Sequence, residues 1–179
     1  MKYDYNKSQI FESLIKVGIK KNDIVYCHAN LGFFGNIRSN NIAKLFFEVL
    51  KKKVGKNGTI LFPSYSYSFK KKKINIHNVS DNNFKMGILS EYAFNQKEVK
   101  RTFDPMFSSL VWGKLTNEFL NISNNSFDDN SVFGKLFQYN GKILNLNFPG
   151  TTFLHFVERK LKLGYRYDKV FEGSIIRNS

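Results

Sequence analysis

One stretch decides the fold of this chain: Ile143-Leu144-Asn145-Leu146-Asn147-Phe148-Pro149-Gly150-Thr151-Thr152-Phe153-Leu154-His155-Phe156-Val157-Glu158. Apolar side chains alternate from 143 to 148, which predicts a buried strand. Pro149-Gly150 then breaks the strand, and Thr151 or Thr152 is placed to cap a helix. The stretch therefore predicts a strand, a tight turn and the N-terminus of a helix.

On the predicted helix, His155 and Glu158 are three positions apart and share one face. A carboxylate beside an imidazole favours its protonated form and raises its basicity. We take this pair as the candidate for acid–base chemistry. Spacing alone leaves a second interpretation open, in which a half-buried histidine lies beside a surface glutamate.

Length and composition predict a single domain over residues 1–179. The chain is 42% hydrophobic and 16% aromatic, enough for a substantial core. No apolar run approaches the roughly 20 residues of a membrane span, and no signal-peptide pattern follows Met1, so we expect a cytoplasmic protein without a membrane partner. Cys27 is the single cysteine, and no Cys/His cluster has metal-ligand spacing, so no metal is predicted.

The formal charge of +14 allows two interpretations. Clustered Lys and Arg bind phosphates, which indicates nucleic acid. The enrichment in Lys, Asn, Phe and Ile at the expense of Arg, Ala and Pro is also what an AT-rich genome imposes on any protein. In either case a positive field repels polycations and attracts polyanions.

Helical and strand patterns alternate along the chain. Helices are predicted at 8–17, 42–53, 86–94, 115–120 and from 131, and further strands at 24–28, 59–62 and 109–113. This order predicts an α/β fold with three layers, in which helices flank a largely parallel central sheet.

Two loops follow strands at the edge of the sheet where α/β proteins bind ligands. The loop from Asn30 to Ser39 precedes a helix that Ser39 or Asn40 would cap, an arrangement that suits a phosphate. A plain connecting loop is the alternative. Ser64, Tyr65 and Ser66 follow the 59–62 strand. The run Lys70 to Lys73 and His77 are interpreted as parts of a solvated surface loop.

In this order the segments resemble the aminoglycoside 3-N-acetyltransferase family, also called antibiotic N-acetyltransferases. The resemblance rests on six blocks that cover nearly the whole chain: Asp23 to Gly35, Gly58 to Ser66, Met86 to Glu91, Arg101 to Ser108, Phe133 to Leu136 and Thr152 to Glu158.

The resemblance implies acetyl-CoA-dependent transfer to an amino group of a sugar-like substrate, and with it antibiotic resistance. It implies that His155 and Glu158 are the catalytic pair. The acetyl-CoA phosphates are expected at the Asn30–Ser39 loop, with Asn30, Leu31, Gly32, Phe33, Gly35 and Ser39 as cofactor residues. Ser64, Tyr65, Ser66 and Asp104 are the predicted substrate contacts.

The chain departs from the family pattern at two places. Asp104 stands before Pro105, where members commonly have His. Family chains also usually continue past this point with acidic residues that meet the amine-rich substrate, so we expect this chain to be either a fragment or a shortened paralogue.

Direct transfer within a ternary complex is the expected mechanism. A Cys27 acyl-enzyme assisted by His28 is disfavoured because neighbouring strand residues point to opposite faces. The charge favours an amino sugar that carries phosphate over a polycationic antibiotic, and both stay open. A basic RNA-binding domain without chemistry and an inactive remnant of the enzyme fold are the rival functions; no specific nucleic-acid partner is expected.

Overall fold

A five-stranded sheet forms the centre of the computed structural model, which describes residues 4–37, 39–67, 69, 76–82 and 84–176. Its strand order is β6-β7-β4-β2-β8. The strands are β2 (Ile24–Ala29), β4 (Thr59–Pro63), β6 (Lys100–Arg101), β7 (Ser109–Gly113) and β8 (Lys142–Leu146).

The sheet is largely parallel, as predicted. β2 pairs in parallel with both β4 and β8, whereas β7 is antiparallel to β4 and to β6. β6 therefore runs in the same direction as β2, β4 and β8, and β7 alone runs against the other strands of this sheet. Its direction was missed because periodicity along a strand carries no information on pairing direction.

Helices cover both faces of the sheet, which confirms the three-layer α/β prediction. They are α1 (Lys7–Lys16), α2 (Ile42–Val54), α3 (Ile88–Phe94), α4 (Thr116–Leu120), α5 (Val132–Gln138) and α6 (Phe153–Lys160). One core contains buried residues of α1, α2 and α3, and a second contains those of α4, α5 and α6.

Successive side chains of a strand point alternately into the first and the second core. On β2, Val25 and Cys27 point into the first core, and Tyr26 between them points into the second. On β4, Ile60 and Phe62 lie in the first core and Leu61 in the second. Period-two alternation in a sheet buried on both faces produces apolar runs of this kind.

The stretch from 143 to 158 folds as a strand, a turn and a helix, with two corrections. β8 ends at Leu146 rather than at Phe148, because Asn147 adopts a left-handed backbone with φ of 49°. The N-cap of α6 is Thr152, but its side chain makes no capping bond. Thr151 Oγ1 instead accepts the Phe153 N–H at 3.2 Å.

Two small parallel sheets are separate from the main sheet. β1 (Asp4–Tyr5) pairs with β3 (Asn36–Ile37), and β5 (Ile76–Asn78) pairs with β9 (Ser174–Ile176). These strands are two or three residues long and too short for a periodicity argument. The prediction that His77 is a surface residue is wrong: it lies in β5 and is 3% exposed. The run Lys70 to Lys73 lies outside the described residues.

Within the described ranges, every helix falls short of the length and apolar character that a bilayer-spanning helix needs.

Candidate active site

Four chain segments meet at the carboxyl edge of the parallel strands. They follow β2, β4, β6 and β8 and include the Asn30–Ser39 loop, residues 64–67, residues 102–108 and the 147–152 turn into α6. The Asn30 N–H donates to the Leu146 carbonyl at 2.9 Å, which joins the first of these segments to the last. Ligands of α/β proteins bind at this edge of the sheet, so a ligand site is expected here.

A side chain of β2 and one from the segment after β4 fix the start of α6. Thr151 Oγ1 lies 3.5 Å from His28 Nε2, at the end of β2. Tyr65, after β4, hydrogen-bonds the Thr152 side chain and lies 3.0 Å from the Tyr26 hydroxyl. Phe156 is 1% exposed and anchors the helix in the second core. The position of the next turn of α6, which carries His155, is thereby set by the sheet.

His155 and Glu158 are in contact, as their spacing predicted. His155 Nδ1 lies 3.0 Å from Glu158 Oε2, and the two side chains are 42% and 14% exposed. Hydrogen bonds from His155 and Tyr165 hold the pKa of Glu158 below its ordinary value. The carboxylate is therefore ionised near neutral pH and accepts the Nδ1–H. This tautomer leaves the Nε2 lone pair free to take a proton.

Two residues that the sequence analysis missed complete this cluster. The Tyr165 hydroxyl donates to Glu158 Oε1 at 2.9 Å. Arg166 Nη1 lies 3.2 Å from both Glu158 Oε2 and His155 Nδ1. The Arg166 guanidinium and the His155 Nδ1–H are both hydrogen-bond donors, so both donate to the Glu158 carboxylate. The available signal was Gly164 shortly after the helix, since a glycine past a helix end indicates a chain reversal.

His155 lines an open cavity of about 830 Å³, which falls within the range of small-molecule sites. The lining is rich in aromatic side chains and comes mainly from residues 104–107, 124–127 and 165–171, with Tyr67 and Phe69. Of the predicted site residues, His155 and Asp104 are brought together here.

Asp104 is buried in the cavity wall, with 4% of its surface exposed. Its Oδ1 accepts the N–H groups of Met106 and Phe107, each at 2.8 Å, and Ser126 donates a side-chain hydrogen bond. Desolvation by burial raises the pKa of this carboxyl in spite of those bonds. Asp104 thus shapes the 104–107 turn and is one of the residues that line the cavity.

The predicted substrate contacts after β4 have structural partners. Ser64 is fully buried, and Arg101 Nε donates to its hydroxyl at 3.2 Å. Arg101 Nη2 donates to the Ser64 carbonyl and to Ser66 Oγ, both at 2.7 Å. Ser64, Tyr65 and Ser66 are absent from the part of the cavity wall that the described residues form. Their role as substrate contacts stays a prediction, which this geometry does not favour for Ser64.

The Asn30–Ser39 loop contains a short 3₁₀-helix, Leu31–Phe33, and β3. Leu31 is buried, whereas Phe33 is 77% exposed. The helix cap predicted at Ser39 or Asn40 is in fact Asn41, whose Oδ1 accepts the Lys44 N–H at 2.8 Å. The Ser39 hydroxyl accepts the Asn41 N–H instead. The loop keeps an exposed surface next to the N-terminus of α2, a 13-residue helix.

Cys27 and His28 occupy opposite faces of β2, as expected. Cys27 is 1% exposed, and burial raises the pKa of its thiol, which disfavours the thiolate. His28 is 3% exposed, stacks on Phe148 at a centroid distance of 5.3 Å, and has a pKa lowered by burial to about 4. Cys27 is therefore a structural residue.

The fold and site define a three-layer α/β protein with a histidine–glutamate pair beside a ligand-sized cavity. A model of the family described as aminoglycoside 3-N-acetyltransferase matches residues 27–179, and the chain belongs to that family.

The sequence identity to individual relatives is low. The chain is 27% identical to the SPbeta prophage-derived aminoglycoside N(3')-acetyltransferase-like protein YokD of Bacillus subtilis (strain 168), over 87% of this chain and 65% of YokD. The crystal structure of aminoglycoside acetyltransferase AAC(3)-IVa, apoenzyme, is 19% identical with a TM-score of 0.81, over 92% of this chain and 63% of that one. AAC-IIIb, in a binary complex with CoASH, is 18% identical with a TM-score of 0.78, over 88% and 65%. The chain thus spans somewhat less than two thirds of these relatives, and the two structures show the shared fold.

Proposed function

We propose that this protein is an acetyl-CoA-dependent N-acetyltransferase that acts on an amino group of an amino sugar or an aminoglycoside-like substrate. The observation that carries the proposal is the 3.0 Å contact between His155 Nδ1 and Glu158 Oε2 beside the cavity, in a chain of this family. CoASH in the AAC-IIIb complex supports the choice of acetyl donor.

In the proposed reaction His155 is the general base. His155 Nε2 takes one proton from the substrate ammonium, while Glu158 holds the imidazole and stabilises its charged form. The neutral nitrogen then forms a C–N bond with the acetyl carbon, the C–S bond of the thioester breaks, and the second proton that the nitrogen loses goes to the leaving thiolate, which gives CoASH. General-base assistance of this kind contributes roughly 100- to 10,000-fold in rate.

Acetyl-CoA supplies an activated acetyl thioester, and its phosphates need hydrogen-bond donors and positive charge. The first-turn N–H groups of a helix have no intrahelical partner, and the positive end of the α2 dipole faces the Asn30–Ser39 loop. Asn41 already satisfies the Lys44 N–H, so the earlier N–H groups of the turn are the donors that fit. The exposed Lys44 side chain adds a cation at the same place.

The test is CoASH release from acetyl-CoA, followed with a thiol reagent across a panel of amino sugars and aminoglycosides. We expect release with at least one panel member and a loss of ~100-fold or more in His155→Asn. Leu154→Asn is the matched control, because Leu154 precedes His155 on the same helix and is 53% exposed. Equal rates in the two variants would remove His155 from the mechanism, and no release with any amine would refute the activity.

A further inference from the structure

An aromatic wall runs through the cavity to the proposed base. The ring centroids of Tyr67 and Phe107 are 6.0 Å apart, those of Phe107 and Phe127 are 4.8 Å apart, and those of Phe127 and His155 are 5.5 Å apart. Tyr165 and Tyr167 also line the cavity and are 70% and 74% exposed. Rings in such a row bind apolar or planar faces and attract cations through their π-electrons.

Most charges around the cavity are already matched. Glu158 is paired with Arg166, and Asp168 forms a two-pronged ion pair with Arg159, in which Nε and Nη2 lie 2.9 and 2.8 Å from the carboxylate oxygens. Lys169 lies over the Tyr167 ring at 5.3 Å. The rim therefore offers little net negative charge.

Asp104 is the exception. Among the residues that the structure describes it forms no ion pair, and its hydrogen bonds come from backbone N–H groups and Ser126. A buried carboxylate whose hydrogen-bond donors are all neutral is strongly stabilised when a ligand places a cation beside it. The cavity thus provides one place for one positive charge.

A second positive charge on a ligand would be unfavourable at this site. It would face Lys169 on the rim, in the field of a chain with a formal charge of +14. A ligand with several ammonium groups needs several free carboxylates, which the described part of the cavity does not supply.

We propose that the cavity selects an amphipathic monoamine, whose single ammonium group binds at Asp104 and whose apolar or planar face lies on the Tyr67–Phe107–Phe127 wall. Binding of this amine does not depend on the transferase activity. Only the reaction of the amine after it has bound rests on the proposed function. Transfer then requires the ammonium to lose one proton to become nucleophilic, and His155, at the end of the aromatic wall, is placed to accept it.

Binding is measured by isothermal titration of the protein, without acetyl-CoA, with 4-nitrophenyl 2-amino-2-deoxyglucoside, with its 2-hydroxy analogue and with kanamycin as the polyamine. The salt is near 0.15 M, so that long-range repulsion is largely screened. We expect the aryl monoamine to bind at least ~10-fold more tightly than the polyamine and the hydroxy analogue. Tighter binding of the polyamine, or no binding of the monoamine, would overturn the proposal.

Two variants separate charge from ring contacts. Asp104→Asn keeps an oxygen for the Met106 and Phe107 N–H groups but removes the charge, and we expect it to weaken monoamine binding ~10-fold or more without changing the hydroxy analogue. Tyr167→Ser should weaken both aryl ligands by about 2- to 5-fold. Asp129→Asn removes the same charge from a surface pair with Lys160 and is the control. Equal monoamine affinity in Asp104→Asn and Asp129→Asn would contradict the role of Asp104.

The same ligands distinguish this proposal from the proposed function. Asp104-dependent binding without CoASH release on addition of acetyl-CoA would refute the transferase activity and leave the monoamine site standing. CoASH release with the polyamine alone, at equal rates in Asp104→Asn and Asp129→Asn, would refute the monoamine site and leave the activity standing.

Discussion

His155 Nδ1 lies 3.0 Å from Glu158 Oε2, and the other oxygen of this carboxylate accepts the Tyr165 hydroxyl at 2.9 Å. The carboxylate is thus held from both sides, while among the described residues the imidazole is held through Nδ1 only. Its second nitrogen is left for chemistry, which is the arrangement that a general base requires.

Removing the charge of Glu158 should slow transfer without unfolding the protein. We expect Glu158→Gln to lower kcat roughly 10-fold, less than loss of the base itself, because an oriented imidazole remains. Tyr165→Phe should lower it only a few-fold, since Arg166 still contacts the carboxylate. Steady-state kinetics with thermal melts would check both, and a Glu158→Gln rate equal to wild type would show that the pair is merely structural.

Arg101 should matter for stability rather than for chemistry. It is 7% exposed and donates to Ser64, Ser66, Ser108 and the Asp81 carbonyl, and burial lowers its pKa to about 10. Arg101→Met leaves several buried acceptors without donors, so the unfolding free energy should fall by about 2–4 kcal/mol.

The neighbouring, exposed Lys100 provides the control for Arg101. Lys100→Met should shift the urea midpoint little, because the loss of a surface charge costs within about 0.5 kcal/mol. Equal midpoints for the two variants would contradict the structural role of the Arg101 cluster.

The three-layer fold could be predicted because long apolar segments carry their own period. β2, β4 and the helix at 42–54 were found within one or two residues of their observed ends, since each buries a continuous apolar face. β6 and β7 show where this stops. β7 was predicted as a strand, but its antiparallel direction is decided by partners distant in sequence. β6 is two residues long and too short to show a periodicity.

Only the contacts of the candidate site that lie within a single helix could be predicted from the sequence. The His155–Glu158 contact follows from helical spacing alone. Tyr165 and Arg166 come from the chain that folds back after α6, and Ser64 is turned inward by Arg101, a residue 37 positions away. His77 was misplaced because its burial comes from β5 and β9, strands almost one hundred residues apart.

Two buried histidines predict a loss of stability in mild acid. The pKa values of His28 and His77 are lowered by burial from 6.5 to about 4, and Arg101 adds to the effect at His77. The unfolded chain therefore takes up protons between pH 6.5 and 4 while the folded protein does not. The unfolding free energy should fall over this window, by up to about 3 kcal/mol for each residue.

Urea titrations at several pH values would measure this slope. His28→Gln and His77→Gln stay neutral in both states, so each should flatten the slope between pH 6.5 and 4, and the double variant should flatten it further. A slope that both single variants leave unchanged would show that these histidines already bind protons in the folded protein.

The proposed cofactor loop can be blocked without disturbing the fold. Of the residues that the structure describes, a Cβ at Gly32 would meet only Asn30, whose Oδ1 lies at 3.7 Å, so Gly32→Val should fold normally. Acetyl-CoA should raise the Tm of the wild type because it binds the native state, and this shift should shrink in Gly32→Val. Lys56→Val, in the turn before β4, is the control. An undiminished shift in Gly32→Val would place the cofactor elsewhere.

The most direct test of His155 as the general base is the pH dependence of kcat/KM for an accepted amine, compared between wild type and His155→Asn. We expect a wild-type rate that rises with pH, and a variant that is ~100-fold slower or more and lacks this limb. A variant that keeps both the wild-type rate and the wild-type pH profile would contradict the assignment of His155 as the base.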